Sequence, residues 1–339
     1  MVHLRIVAPV DYAEHALELL TATPSVVNLI HLEGAAQKPE GDVILCDVAR
    51  EDASVIVSDL KEFGIEREGS IAMEMVDSLI SDQADAAEKA ASGAPSYAVV
   101  WEEFEARTSE NTELSASFLL FISLACLIAT VGVILDSPIL IIGAMVVGPE
   151  FGPLAGLAVA AVERRPALVK RSLIPLLIGF PLGITAAFVF AHLIDAVGLT
   201  PEGFSASVHP NTYFISHPDA FSFMVAAFAG TAGVLSLTSA KSGALVGVLI
   251  SVTTIPAAAN IGVAAAYRDG EEWLGAIEQL AVNLSMITLA GIATLFVQRR
   301  LYQRRRVAHL HDEARELAGL PVGASRRGRR EKPAARGTP

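Results

Sequence analysis

Cysteine is scarce in this chain, and its scarcity removes two classes of site. The 339 residues include only Cys46 and Cys126, which lie in a polar and an apolar region respectively. Two cysteines so placed exclude a disulfide framework and a zinc site built on cysteine. The opening MVHLRIVAPVDYAEH also lacks the basic start and the apolar stretch of a signal peptide, so we expect the front of the chain to stay in the cytoplasm.

The sequence also lacks the signatures of common enzymes. It contains no phosphate-binding glycine loop that ends in Lys and Ser or Thr, no paired His–Glu metal motif and no nucleophile elbow. The missing nucleotide site argues against a primary pump, and the missing nucleophile and metal set argue against an enzyme that acts on lipid. We therefore expect no catalytic residue, no cofactor and no metal ion.

Charged side chains are sparse between residues 115 and 298, where apolar runs follow one another. The chain is 52% hydrophobic with a mean hydropathy of +0.49, and its polar residues gather in 1–113 and 299–339. Acids outnumber bases by about 23 to 7 in residues 1–114, whereas about 12 of the 25 basic residues follow residue 298. This division predicts a membrane protein with an acidic head and a basic tail.

The basic tail, 299–339, adjoins an apolar run, so anionic lipid headgroups are its expected partner and nucleic acid is not. The residues that would contact lipid are Arg299, Arg300, Arg304, Arg305 and Arg306. We expect the tail to be cytoplasmic and partly disordered. The segment HLHDEAR (309–315) superficially resembles a metal-binding run, and we interpret it as solvated side chains of a charged helix.

Residues 1–80 show the alternating patterns of a small α+β domain. Strands are predicted at 3–9, 26–34, 42–49 and 70–79, and helices at 11–23 and 51–64. Asp11 is the expected N-cap of the first helix and Gly64 the end of the second. The order βαββαβ predicts a ferredoxin-like cytoplasmic domain.

Residues 81–113 are expected to connect the head to the membrane. Their Ala-, Ser- and Gly-rich first part predicts a linker that is partly helical. The second part mixes Trp and Phe with acids, which fits either an interfacial helix at the lipid headgroups or an ordinary connecting helix.

The apolar runs predict a polytopic α-helical membrane domain over residues 114–298. Its six transmembrane helices are expected at 115–135, 137–161, 167–195, 219–239, 242–266 and 274–298. Basic residues concentrate on the cytoplasmic side of membrane proteins; the connection 163–171 carries four of them and the connection 199–218 carries none. The resulting alternation places both termini in the cytoplasm.

The second and fifth predicted spans share an interrupted pattern. Each begins with small residues, carries Gly about five residues in and is interrupted by Pro near its middle. Broken helices at matching places in two halves are typical of a transport site near the membrane midplane. We interpret 115–195 and 219–298 as inverted repeats of three spans. The alternative is that small residues and Pro recur because close helix packing favours them.

The sharpest local motif is GAMVVGPEFGPLAG at 143–156. Gly148, Gly152 and Gly156 recur every four residues, which predicts one helical face open to the close approach of another backbone. Glu150 is the one ionisable residue between positions 137 and 162. A lone carboxyl inside a membrane is a functional candidate that would bind a cation, carry a proton or contact a polar substrate.

The alternative for Glu150 is a position near the cytoplasmic end, paired with Arg164 or Lys170. In the fifth span the candidates are Ser251, Thr253, Thr254 and Asn260, whose polar groups face either a solute or the carbonyls freed by Pro256. In the sixth span Asn283 is a candidate that contacts either substrate or, with Thr288, a neighbouring helix. A weaker metal or proton site is suggested by His192, Asp195, His209 and His217.

Residues 112–160 resemble the uncharacterised hydrophobic domain family, also called domain of unknown function family 389. The stretch DSPILIIGAMVVGPEFGP (136–153) carries most of the likeness, and 245–264 and 281–296 look like the family's second half. The family commonly shows a Pro-Pro pair where this chain has Ile255-Pro256. The resemblance implies a prokaryotic multi-span protein, hence one of the cytoplasmic membrane, and implies no function and no catalytic residue.

From these patterns we expect a transporter or channel-like permease for a small polar solute or ion. Its substrate-binding residues would be Gly148, Glu150, Gly152, Ser251, Thr253, Thr254, Asn260 and Asn283. The head would regulate the protein or hold a homo-oligomer together, because glycine faces and open sheet edges favour association. The alternative is a membrane sensor or lipid-binding scaffold that transports nothing.

Overall fold

The computed structural model of the chain describes residues 1–76, 79–91, 112–201, 204, 210–238, 253–310 and 313–320. The chain forms two compact units. The first comprises Met1–Glu103 together with Arg299–Pro339, and the second comprises Phe104–Gln298. The predicted head and the predicted tail therefore belong to one unit, and the apolar runs form the other.

The first unit is built on an antiparallel sheet of four strands. In chain order its elements are β1 (Val2–Ala8), α1 (Val10–Ala22), β2 (Val26–Gln37), β3 (Glu40–Val48), α2 (Arg50–Phe63), α3 (Ile65–Glu68), β4 (Ser70–Met75) and α4 (Asp82–Ala90). The strands lie in the order β2–β3–β1–β4. Alternate residues of β1, such as Leu4 and Ile6, are fully buried beside Leu19 and Ile56 of the helices. The predicted strands and helices of the head are thus present.

The helix ends of the head differ in part from the prediction. Gly64 ends α2 in the left-handed region at φ 95°, as its position predicted. Asp11 is not the N-cap of α1, because the helix begins one residue earlier and Pro9 occupies the cap position. Asp11 lies instead in the first turn, where the positive end of the helix dipole still stabilises its negative charge.

The tail contributes the buried side chain of Arg315 to the head. Its guanidinium pairs with Asp59 and, at 3.1 Å, with Glu62, and its side chain is 0% exposed. His309 bonds to Asp59 at 2.9 Å, and Arg306 bonds to Glu62 at 3.1 Å. The interpretation of 309–315 as solvated side chains was therefore wrong for His309 and Arg315, which contact acids of α2.

The second unit consists of apolar helices. They are α5 (Ala116–Ile134), α6 (Pro138–Val147), α7 (Phe151–Glu163), α8 (Pro166–Ala196), α9 (Ala220–Thr238), α10 (Thr254–Ala266) and the first part of α11 (Gly270–His309). A short helix α12 (Glu313–Leu317) follows in the tail. Of these, α5, α8, α9 and α11 are long and apolar enough to cross a membrane, and the bent pair α6 and α7 adds a fifth candidate span. The chain is thus a mostly helical membrane protein.

Three connections meet at one end of this unit. Asp136, between α5 and α6, accepts hydrogen bonds from Asn211 at 2.8 Å and Thr212 at 2.9 Å in the connection between α8 and α9. The hydroxyl groups of Thr200 and Tyr267 lie 3.0 Å apart and join that connection to the one between α10 and α11. The connection between α7 and α8 lies at the other end, because α8 is 31 residues long.

Glycine brings the backbones of α10 and α8 close together. A Cβ atom on Gly262 would lie 2.6 Å from the carbonyl oxygen of Ile184 and 2.7 Å from the amide nitrogen of Phe188. Neither is a flexible side-chain atom, so a larger residue forces the helices apart. Gly143 of α6, in contrast, has open space where its Cβ would stand.

We expect Gly262→Ala to destabilise the protein by about 1–3 kcal/mol, the usual cost of overpacking. Gly143→Ala is the matched control and should be neutral or slightly stabilising, because Ala favours a helix interior over Gly. Thermal unfolding of the two variants in the same detergent measures the difference. Equal melting temperatures would contradict the close approach of α10 and α8.

Candidate functional site

The site begins at the break between α6 and α7. The first helix ends at Val147, the second begins at Phe151, and the two are bent by 54°. Glu150 is the last residue of the break, and only 4% of it is exposed. The break also corrects one prediction, because Gly148 lies before it and Gly152 and Gly156 lie after it. The three glycines therefore do not share one helical face.

The first turn of α10 meets Glu150. The Thr254 hydroxyl, which is fully buried, donates a hydrogen bond to Oε1 of Glu150. Pro256 and Pro153 are each the third residue of their helix, where a missing N–H removes no helical hydrogen bond. Glu150 thus lies at the beginning of α7 and contacts the beginning of α10, and a negative charge is favoured at such helix ends.

The second carboxylate oxygen of Glu150 differs from the first in its hydrogen bonding. Oε2 is buried and has no hydrogen-bond partner within the described part of the chain. Gly148 makes room for it, since a Cβ at this position would collide with Oε2 and with the Ile255 side chain. No ion pair of Glu150 occurs among the described residues, so the predicted alternative of pairing with Arg164 or Lys170 is not what the structure shows.

Beside this carboxylate lies a cluster of neutral polar groups. The Thr253 hydroxyl oxygen accepts hydrogen bonds from Nδ2 of Asn283 at 2.8 Å and from Nε2 of Gln279 at 3.3 Å. The same Nε2 also lies 3.3 Å from Oδ1 of Asn283. Oε1 of Gln279 is buried and has no partner among the described residues. The cluster thus keeps one acceptor available.

This cluster forms the floor of a cavity of about 400 Å³. The polar lining residues are Thr253, Gln279, Asn283, Asp219 and Ser222. The apolar lining comes from the start of α6, from α9 and from Phe214: Pro138, Ile141, Ile142, Met145, Phe221, Val225 and Ala226 complete the wall. Apolar walls with a few convergent polar groups are the usual form of a small-molecule site.

Asn260 lies outside this group. Its Nδ2 donates to Oε2 of Glu272 at 3.3 Å, and Glu272 is in turn 3.9 Å from the His217 ring. Within the described residues no group of three metal-binding side chains is present, and His209 lies outside them. His192 instead packs edge-on against Phe188.

The predicted site residues thus fall into distinct places. Gly148, Glu150 and Thr254 meet at the break, whereas Thr253 and Asn283 line the cavity. Gly152 lies in the first turn of α7 and Ser251 lies outside the described residues.

The sequence interpretation missed three polar residues of the cavity. Asp219 and Ser222 were placed at the beginning of a span and given no role, and Gln279 was not considered. Gln279 precedes Asn283 by four residues, so the two share one face of α11. This spacing could have identified Gln279 as a site residue. The expected helix contact of Thr288 is not seen, since its hydroxyl bonds to the Leu284 carbonyl of its own helix at 2.7 Å.

Comparison with known proteins shows what much of this region is similar to. Residues 145–289 match the family model described as Domain of unknown function (DUF389), which confirms the predicted resemblance. An uncharacterized protein of Methanocaldococcus jannaschii is 25% identical over 194 residues, which are 57% of this chain and 58% of the relative. The match therefore spans less than two thirds of the relative's length. No solved structure matches the chain.

Proposed function

We propose that the protein is a membrane transporter for a small polar solute or ion. The observation that carries the proposal is the broken helix pair, whose gap holds a buried carboxyl beside a cavity with a polar floor. Irregular backbone at membrane depth is tolerated where it is buried in protein or lines a wet cavity, and it marks the binding sites of many transporters. The cavity would hold the solute, and Glu150 would bind a proton or a cation during the cycle.

A repeat of three spans in each half supports this mechanism. Helices α5 and α9 have 19 residues each, and α7 and α10 have 13 residues each. The residues that follow the shorter pair also correspond. Arg164 and Arg268 both adopt the left-handed region, at φ 56° and 59°. In both places the next amide bonds to a carbonyl five residues back, at 3.0 and 2.9 Å.

Helix packing is reciprocal between the two halves. Gly179 of α8 faces Phe118 of α5, and correspondingly Gly230 of α9 faces Ile287 of α11. Helix α5 packs on α10, and α9 approaches α7, where the Phe151 ring fills the place of a Cβ at Gly233. Exchanging the halves thus gives the same pairs of helices, with the glycine on the other helix of the first pair. This reciprocity favours a repeat over the independent recurrence of small residues.

Six spans follow from the repeat. The span that the sequence predicts at 242–266 ends with α10, and with it each half would cross the membrane three times. An odd number of crossings makes the second half begin on the opposite side, so the repeats are inverted. The half-helices α7 and α10 would then enter from opposite sides and meet at Glu150 and Thr254, near the midplane.

The distribution of charge supports an orientation with both termini in the cytoplasm. The end that holds the connection between α7 and α8 carries Arg164, Arg165 and Arg171, and the opposite end carries mostly acids. Basic residues favour the cytoplasmic side. The cavity residues Pro138 and Asp219 lie at the acidic end, so the cavity would be reached from outside the cell.

The head would regulate or oligomerise the transporter. Its strand order supports the ferredoxin-like prediction, because β3 lies between β1 and β2 and β1 lies between β3 and β4, as in a split βαβ arrangement. The edge strands β2 and β4 offer pairing surfaces for a second copy. The arginines that follow residue 298 would contact anionic lipid as a group, although Arg306 already bonds to Glu62.

Uptake into proteoliposomes tests the proposal. Purified full-length protein should move at least one member of a panel of polar solutes and ions, and Thr253→Val should reduce that uptake by about tenfold through loss of the cavity floor. Thr288→Val is the matched control, because the described hydrogen bond of its hydroxyl lies within α11, and it should transport like the parent.

If no solute moves although the protein is shown to be folded and inserted, the proposed transport function is refuted. A sensor or lipid-binding scaffold would then be the remaining function. Lipid retained by the parent through purification, and lost in the Thr253→Val variant, would identify that alternative.

A further inference from the structure

We infer that the solute of the cavity is a small organic cation, with an amine or ammonium head and an apolar body. The inference rests on the proposed function and names its substrate class. Among the described residues that line the cavity, Asp219 is the one ionisable side chain and none is basic. A cavity with one negative charge and no positive charge attracts cations and rejects anions.

The neutral polar groups of the floor point to the same class. Nε2 of Gln279 donates to Thr253 and to Oδ1 of Asn283, and Nδ2 of Asn283 donates once, to Thr253. Oε1 of Gln279 remains as a buried acceptor without a described partner, in a residue that is 2% exposed. Because a buried acceptor without a donor is costly, the floor favours a solute that brings N–H or O–H groups.

Asp219 stays charged at neutral pH. The backbone amide of Ser222 donates to its Oδ1 at 2.8 Å, and the Ser222 hydroxyl does so at 3.0 Å. These hydrogen bonds, led by the one from the Ser222 amide, hold the pKa of Asp219 below its ordinary value. The residue is exposed, and it precedes α9 at the mouth of the cavity.

The charge around the mouth would steer a cation toward it. The three connections at this end, with the adjoining helical turns, carry six acids and one arginine among the described residues. The acids are Asp136, Asp195, Asp219, Asp269, Glu271 and Glu272, and the arginine is Arg268. An excess of one charge sign around a cleft raises the local concentration of oppositely charged solute.

The rest of the wall fits an apolar body. Met145, Phe214 and Phe221 are among the lining residues, and aromatic faces attract ammonium groups as well as apolar ones. A purely inorganic ion would leave these walls without contacts. A cation with an apolar body uses both parts of the cavity.

Three probes with one apolar body test the inference: benzylammonium, benzyl alcohol and benzoate. Binding to the full-length protein in detergent is measured by calorimetry at neutral pH. We expect benzylammonium to bind at least about ten times more tightly than benzoate. Asp219→Asn should weaken benzylammonium about tenfold and leave benzyl alcohol within about twofold, as expected for loss of one ionic contact. The control Asp195→Asn, at the same end but outside the cavity, should have little effect.

Benzoate that binds as tightly as benzylammonium would overturn the inference, and so would no binding of benzylammonium or an unchanged affinity in Asp219→Asn. The uptake assay separates this inference from the proposed function. Specific transport of anions would refute the cation and keep the transporter. Binding of benzylammonium that depends on Asp219, with no transport of any solute, would keep the cation site and refute the transporter.

Discussion

Replacing Glu150 with Gln is expected to reduce uptake by tenfold or more and to remove the response of the remaining uptake to pH. Gln has nearly the same shape and keeps an oxygen that accepts the hydrogen bond from Thr254. What it loses is the ability to gain and release a proton. A carboxyl buried in a membrane protein is costly, and its presence is best explained by that ability.

The surroundings of Glu150 allow a changed pH response to be attributed to this residue. The Cys126 thiol of α5 is within electrostatic reach of Glu150, and no basic partner of Glu150 is present among the described residues. A change in pH response can therefore be assigned to position 150. Uptake at several external pH values, with equal amounts of inserted protein, measures it.

Two variants of Thr254 serve as controls for this prediction. Thr254→Ser keeps the hydroxyl and should transport like the parent. Thr254→Val leaves the carboxyl without its described donor, and should therefore shift the pH response while preserving part of the uptake. Transport by Glu150→Gln at the rate and with the pH profile of the parent would refute a role for this carboxyl.

Replacing Arg315 with Met is expected to destabilise the head by about 3–5 kcal/mol, the usual cost of removing one partner of a buried ion pair. The guanidinium is 0% exposed, while the side chains of Asp59 and Glu62 are 2% and 6% exposed. Water therefore does not replace the lost partner. Met restores most of the apolar volume, so the effect reports charge rather than a cavity.

Pulse proteolysis of the full-length protein in increasing urea measures this change, read as cleavage within residues 1–76. Arg306→Met is the control. Its side chain is 22% exposed and leaves Glu62 paired with Arg315, so we expect a loss below about 1 kcal/mol. Equal stability of Arg315→Met and the parent would mean that the tail does not stabilise the head.

The broken helix was predictable because its cause is local. Proline cannot donate a backbone hydrogen bond, so Pro149 and Pro153 identify the place where helix continuity is lost. The lone carboxyl at Glu150 was recognised for a similar reason, since charge is unexpected in an apolar run. The strands of the head were equally predictable from the sequence, because alternation along β1 is a property of adjacent residues.

The contacts of these residues were not predictable, because they join distant parts of the chain. The hydrogen bond from Thr254 to Glu150 links residues 104 positions apart. The pair of Arg315 with Asp59 links residues 256 positions apart. A charged segment is predicted to be solvent-exposed when its partner is unknown. The sequence alone therefore predicted an exposed Arg315. The cavity was missed likewise, because Asp219 and Gln279 come together only when α9 and α11 pack.

At the membrane depth proposed for Glu150, protonation of its carboxyl would depend on voltage. A proton that reaches a carboxyl in the gap between two half-helices has crossed only part of the electric field of the membrane. Moving one charge across the whole membrane corresponds to about 2.3 kcal/mol per 100 mV. The free energy of protonating a carboxyl at half depth from one side therefore changes by about half of that. Occupancy of the carboxyl would then follow the membrane potential even while every helix stays in place.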